Sequence, residues 1–249
     1  MRKLLLLTVF LFSVQSAGKA AQHFENRPYG WTIIYGSSLS ALQGVLLSEL
    51  ALFAFDSTTA SWHPIPFQID EVGEDSFFGG DDGLLDSVEG QEDELVFLPS
   101  DAGDKAWPHN WPDGFDYNSA VYEFQLTDST TGESAFAYLF RFPNGAPPSP
   151  NPYGMNYDPE RDAVVSRFYE AVFDSNITVH DVRILSAAGG DSVDLVDRQK
   201  SRIKGRIGWA PYEANEQDDF PVTGIDYVVG PVRVIRRVHS KFLGSIDFY

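Results

Sequence analysis

Apolar residues along this chain mostly alternate with polar ones or gather in short blocks rich in Val, Ile, Phe and Tyr, the pattern of strands with one or both faces buried. The pattern predicts strands over residues 31–35, 45–55, 65–69, 94–98, 120–126, 135–142, 164–173, 178–185, 193–207, 226–229 and 232–242. One stretch is ambiguous: Leu39, Leu42, Leu46, Leu50 and Phe53 also fit a helix face. Gly, Pro, Asn and Asp fall between these segments, where turns belong. The longest break runs from Phe142 to Asp162, with prolines at 143, 147, 148, 150 and 152 that forbid regular pairing. It reads as a domain linker or a long crossover between sheets. The crossover, a loop over 143–161 inside one domain, is preferred because neither flank looks complete alone. The expectation is an all-β chain forming a large two-sheet β-sandwich.

The N-terminus departs from this pattern. Arg2 and Lys3 precede an apolar run from Leu4 to Val14, and small or polar residues follow to Ala21. A positive start, a short apolar centre and a small-residue exit make a secretory signal. A run of 11 residues is too short for a bilayer core, which needs about 20. Residues 1–20 are therefore read as a signal peptide cleaved after Ala20, and the mature domain, 21–249, as periplasmic or extracellular. No later segment reads as a membrane span. The chain stops at GSIDFY with no polar tail, which suggests a sandwich incomplete at its C-terminus.

Cysteine is absent, which excludes disulfides, thiolate metal sites and a catalytic thiol. The formal charge is −18, and loss of Arg2, Lys3 and Lys19 with the signal takes it to −21 (−18 − 3). At long range such a chain repels nucleic acid and anionic lipid. The charge is uneven. Between Asp56 and Asp116 sixteen Asp or Glu accompany one cation, Lys105, whereas from Arg198 to Lys241 nine Lys or Arg face five acids.

That basic segment holds the sharpest motif. Arg198, Lys200, Arg202, Lys204 and Arg206 occupy alternate positions, so in a strand all five project from one side, a row of about 27 Å. Arg233, Arg237, His239 and Lys241 share one parity after a Gly230-Pro231 turn. If the two strands were neighbours, their cations would form a groove for carboxylates or sulfates, which guanidinium forks match. Edge strands also carry Lys and Arg simply to block aggregation.

The acidic segment, Gly79 to Ala106, offers Asp81, Asp82, Asp86, Glu92, Asp93, Asp101 and Asp104 on Gly-rich loops. Hard oxygen ligands in that setting suit Ca²⁺, although the spacing is not that of an EF-hand, and a solvated loop reads equally well. His63, His109, His180 and His239 lack zinc-hydrolase spacing. No nucleophile elbow, P-loop or dinucleotide fingerprint is present. Trp107, Trp111, Tyr117, Tyr138, Tyr153, Tyr157 and Trp209 are candidates for stacking on sugar rings, with the core as their alternative place.

Three stretches, WHPIPFQIDE (62–71), EDELVFLPSDAGDKA (92–106) and VVGPVRVIRRV (228–238), resemble an uncharacterised group of exported bacterial β proteins. More remotely, the Gly-Pro-Val-Arg strand opening and Pro-x-Pro-Phe-Gln resemble the supersandwich of galactose-mutarotase-like polysaccharide lyases. The matches cover about a seventh of the chain. The resemblance implies a supersandwich and a carbohydrate ligand. In such lyases a cation or Ca²⁺ neutralises a uronate while a base removes the α-proton, stabilising the charge that develops. Strand parity nominates Arg233 or Arg237 to neutralise and His239 or Lys241 as the base. The expected function is an exported protein that binds polysaccharide or cell-envelope glycan, acidic glycan included. A polysaccharide lyase and a structural or adhesive envelope protein are the alternatives.

Overall fold

The computed structural model describes residues 4–10, 30–73, 77–79, 82–88, 91–107, 111–173, 175, 177–215, 218–242 and 246–248. They build an all-β, sandwich-like protein of several mostly antiparallel sheets. The chain divides into two compact units, Met1–Pro152 and Tyr153–Tyr249. The boundary falls inside the proline-rich stretch, and no sheet pairs a described strand before it with one after it.

The first unit contains β1 (Leu4–Phe10), β2 (Thr32–Tyr35), β3 (Leu50–Asp56), β4 (Ser61–Pro64), β5 (Phe67–Asp70), β6 (Ser87–Val88), β7 (Gln91–Glu92), β8 (Glu94–Phe97), β9 (Val121–Thr127) and β10 (Ser134–Arg141). A five-stranded sheet runs β1-β9-β10-β3-β4, a three-stranded one β2-β8-β5, and β6 pairs with β7. Residues of both larger sheets share one core: Ile34, Leu95 and Phe97 from one, Leu52, Tyr122 and Phe124 from the other. The Phe97 and Phe124 rings lie 6.0 Å apart. β3 reads LALFAF without alternation because both of its faces are buried. The apolar run that reads as a leader contributes β1, which pairs in parallel with β9 from Leu4 opposite Val121 to Phe10 opposite Thr127.

The ambiguous leucine stretch resolves into short 3₁₀ turns. Gly36–Leu42 is helical, with Leu39 and Leu42 fully buried, and Leu47–Glu49 follows. Gly44, at φ +73°, turns the chain between them, so the expected strand at 45 begins only at Leu50.

The second unit contains β11 (Asn156–Asp158), β12 (Ala163–Val165), β13 (Tyr169–Val172), β14 (Asp181–Ile184), β15 (Arg202–Ile207), β16 (Ala210–Asn215), β17 (Val222–Val229), β18 (Val234–Phe242) and β19 (Ile246–Phe248). Their sheets are β11-β12-β13-β14, β15-β16 and β17-β18-β19. A buried ion pair ties two of these sheets together. Asp162, in the β11–β12 turn, accepts from Arg236 Nε (2.6 Å) and Nη2 (2.5 Å), from Tyr157 Oη (2.5 Å) and from the Ser175 N–H (2.9 Å). The two side chains are 2% and 6% exposed, and the Arg236 guanidinium lies over the Phe173 ring at 4.2 Å. Burial beside this carboxylate raises the Tyr157 phenol to about 12.

Candidate functional site

The five-cation row expected over residues 198–206 is not continuous. Only Arg202, Lys204 and Arg206 lie on β15. Upstream, Asp194 Oδ1 accepts the Val182 and Val196 N–H groups and Asp191 Oδ1 accepts that of Val193. The bonds to Val193 and Val196 are local and compete with a strand ladder, while the Leu195, Arg198 and Gln199 N–H groups reach the carbonyls of Val182, His180 and Val179. Ser192 and Arg198 have φ of +63° and +60°, and Lys200 precedes the strand. On β16, Glu213 stands opposite Lys204 and takes both Arg202 Nε (3.0 Å) and Lys204 Nζ (3.2 Å).

The second cation set lies in a different sheet from β15, so the two do not line one groove as adjacent strands. Asp226 of β17 stands opposite Arg237 of β18. Its Oδ2 contacts His239 Nε2 (2.6 Å) and Arg237 Nη2 (2.6 Å) and Nε (3.0 Å). The bond from His239, then those from Arg237, hold the Asp226 carboxyl below its usual range. Arg233 is half-buried and Lys241 exposed. One nominee for each role, His239 as base and Arg237 as neutralising cation, is thus engaged by one carboxylate.

Of the calcium candidates, Asp81 lies outside the described residues. Asp82, Asp86 and Glu92 accept the backbone N–H groups of Leu84, Val88 and Ser37. Asp104 takes the Ser57 N–H and hydroxyl, and those bonds, the hydroxyl first, lower its pKa. Asp93 is 2% exposed and accepts from the Asp86 and Val72 N–H groups. Burial, with Asp86 and Glu71 nearby, still pushes its carboxyl up to about 6. Asp101 follows β8 in the 3₁₀ turn Pro99–Asp101. Among the described residues no three His, Asp or Glu are arranged to hold a metal ion.

A different place in the first unit has the make-up of a ligand site. An open cleft of about 670 Å³ is lined by Phe53, Trp62, Trp111, Phe142, Asp113, Asn144 and the adjoining Pro112, Gly114, Gly145 and Pro147. Its floor belongs to the sheet. Phe53 and Phe142 are each 6% exposed and lie 5.7 Å apart. Trp62 comes from β4, which pairs with β3 alone. Trp62 and Trp111 stack, with centroids 5.8 Å apart and planes 25° apart. Edge contacts from Tyr138 and Phe140 fix the Trp62 indole, at 5.0 and 5.3 Å.

Two turns form the rim. Phe142-Pro143-Asn144-Gly145 closes through the Gly145 N–H on the Phe142 carbonyl (2.9 Å), with Gly145 at φ +97°. Proline at the second position and glycine at the fourth suit a type I turn. The other turn, Trp111-Pro112-Asp113-Gly114, has Gly114 at φ +84°. The cleft's walls are pinned to the sheet by the Phe142 N–H on Glu49 O (2.6 Å), the Asp116 N–H on Arg141 O (2.8 Å) and the Arg141–Glu49 ion pair (2.7 Å). Asp113 and Asn144 are exposed and have no hydrogen-bond partner among the described residues. Trp111 Nε1–H is buried and likewise unpartnered. Aromatic faces with a few convergent polar groups suit a sugar, which has apolar ring faces and a hydroxyl rim. Among the described residues no cation lines the cleft, and one carboxylate does.

Of the other aromatic candidates, Tyr138 and Tyr157 are core residues, Tyr153 packs against the core of the second unit, and Trp107, Tyr117 and Trp209 are exposed. Comparison of the chain with protein-family models, with curated proteins and with solved structures gives no match.

Proposed function

We propose that the protein binds a neutral glycan in the Trp62–Trp111 cleft and that it does so after export from the cytoplasm. The carrying observation is the stacked indole pair flanked by two exposed polar groups with no hydrogen-bond partner among the described residues, the Asp113 carboxylate and the Asn144 amide. A volume of about 670 Å³ falls within the roughly 300–1,000 Å³ of ordinary small-ligand sites, enough for a short stretch of sugar rather than a whole chain. Asp113 can accept from sugar hydroxyls, and it repels a uronate. The ligand class therefore shifts from the acidic glycan suggested by the cation row to a neutral one.

Binding is favoured over turnover. Hydrolysis of a glycosidic bond ordinarily needs two opposed carboxylates, and the described residues of the cleft lining supply one. A lyase needs a cation for the uronate and a base, and the described lining of the cleft holds neither a Lys, an Arg nor a His.

Affinity gel electrophoresis tests this. Soluble neutral polysaccharides such as xyloglucan, galactomannan and mixed-linkage β-glucan are compared with pectate and alginate. Retardation by a neutral polymer is expected, weakened at least tenfold by Asp113→Ala with Asn144→Ala, two exposed positions whose loss leaves the fold intact. Retardation by pectate or alginate alone, abolished by Arg202→Ala with Arg206→Ala, would overturn the proposal.

A further inference from the structure

The β15–β16 hairpin of this acidic chain carries three cations against one carboxylate, and an indole caps it. Ile207 pairs with Ala210, leaving Gly208 and Trp209 as a two-residue turn. Gly208 has φ +64°, the first-position glycine of a type II′ hairpin. Trp209 is thereby carried outward and is 92% exposed, with no ring stacking or hydrogen bond among the described residues. On one face of the hairpin Arg202, Lys204 and Arg206 follow at alternate positions. The Arg202 and Lys204 side chains are 66% and 65% exposed. Glu213 offsets one charge of the three, and Arg206 has no carboxylate partner among the described residues. The face therefore keeps a net positive charge.

The geometry points to a hairpin that docks on an anionic lipid bilayer, with Trp209 inserted at the headgroup level and the cation row on the phosphates. Two observations select the bilayer. Sugar sites are concave, whereas an indole this exposed sits on a convex tip with nothing beside it to enclose a ring. A bilayer interface admits a convex tip, and an amphipathic indole next to Lys and Arg is the chemistry that settles there. The formal charge of −18 opposes approach only at long range. At physiological salt the Debye length is about 8 Å, while six strand residues reach about 20 Å, so the nearest charges dominate. No helix among the described residues is long and apolar enough to cross a membrane, and surface docking requires none.

Vesicle co-sedimentation of the full chain tests the inference independently of the cleft. Vesicles of equal phosphatidylglycerol and phosphatidylcholine are compared with phosphatidylcholine alone, at 50 and 300 mM NaCl. The wild type should partition onto the anionic vesicles at low salt at least tenfold more than onto neutral ones. Trp209→Ser and Arg206→Glu should each lower that partition at least tenfold, and 300 mM salt should weaken it. The wild-type emission minus that of Trp209→Ser should shift to the blue on binding. Circular dichroism of both variants checks that the fold is kept. Absence of anionic-vesicle binding at 50 mM salt overturns the inference, as does equal binding by Trp209→Ser. Loss of pectate binding in these variants, without any vesicle binding, also overturns it and makes the hairpin a reader of soluble polyanions.

Discussion

Replacing Arg236 with Met removes the cation but leaves its partner. Asp162 would keep the Tyr157 hydroxyl and the Ser175 N–H while losing both guanidinium bonds. Its side chain is only 2% exposed, so water cannot replace them. Breaking a buried pair from one side costs about 3–5 kcal/mol because the remaining charge is stranded. The same pair replaced from both sides is cheaper. Asn at 162 tolerates the observed φ of +45°; its one carbonyl oxygen can accept the Ser175 N–H while its amide NH2 donates to the Tyr157 hydroxyl oxygen, so Arg236→Met with Asp162→Asn should cost about 1–2 kcal/mol, the price of the lost ionic bonds. The opening free energy is read by hydrogen exchange at the amides of β12 and β13. The single variant should raise their exchange by about two to four powers of ten at 1.4 kcal/mol per factor of ten, and the double should recover most of it. Arg202→Ala, at an exposed pair, should change stability by about 0–1 kcal/mol. If the double variant is as unstable as the single, the stranded carboxylate is not the cause and the reasoning fails.

Asp93 predicts a pH dependence of the opposite sign to ordinary acid lability. Its folded pKa of about 6 lies above the ordinary 3.8, so the native state holds the proton more tightly and stability falls as pH rises from about 4 to 6. About two pKa units correspond to roughly 3 kcal/mol. The stability of Asp93→Asn relative to wild type should therefore improve by up to about that amount between pH 4 and 7.5, and a pH-independent difference in urea midpoints would refute the burial argument. Asp104, Glu170 and Asp226, whose carboxyls are held below their usual range by hydrogen bonds and ion pairs, act the other way, losing their contribution as pH drops below about 4. N-terminal sequencing of protein recovered from a bacterial periplasm should begin at Ala21; an intact Met1 there would contradict the leader reading. EDTA should leave retention by a neutral glycan unchanged, since the described residues of the cleft supply one carboxylate, and loss of retention would call for a metal.

The alternation of apolar residues carried the fold well. β9, β10 and β18 lie within a residue or two of their expected bounds; β9 and β10 bury a run of side chains in the core, while β18 is half-buried and is held by its pairing with β17. Segment 193–207 is a strand only from Arg202: Leu195, Arg198 and Gln199 donate backbone N–H bonds to the carbonyls of Val182, His180 and Val179, but Asp191 and Asp194 take the Val193 and Val196 N–H groups and interrupt a regular ladder. The spacing of the cations was legible but the carboxylates that engage them were not: Glu213 and Asp226 become neighbours only through hairpin register. The cleft was half legible. Trp111 was a candidate, and Asp113-Gly114 and Asn144-Gly145 are turn dipeptides in any reading. That these turns meet Trp62 across a sheet edge is a property of the β3–β4 and β3–β10 pairings, which no local spacing encodes.

The most direct measurement follows the five tryptophan indole N–H signals by ¹H–¹⁵N NMR during titration with a neutral oligosaccharide that retards the protein. Trp62 and Trp111 should shift, because a sugar ring set against the stacked pair changes the shielding at both indoles, while Trp31, Trp107 and Trp209 stay in place. Movement confined to Trp209, or no movement of Trp62 and Trp111 at saturating sugar, would contradict a glycan site in the cleft.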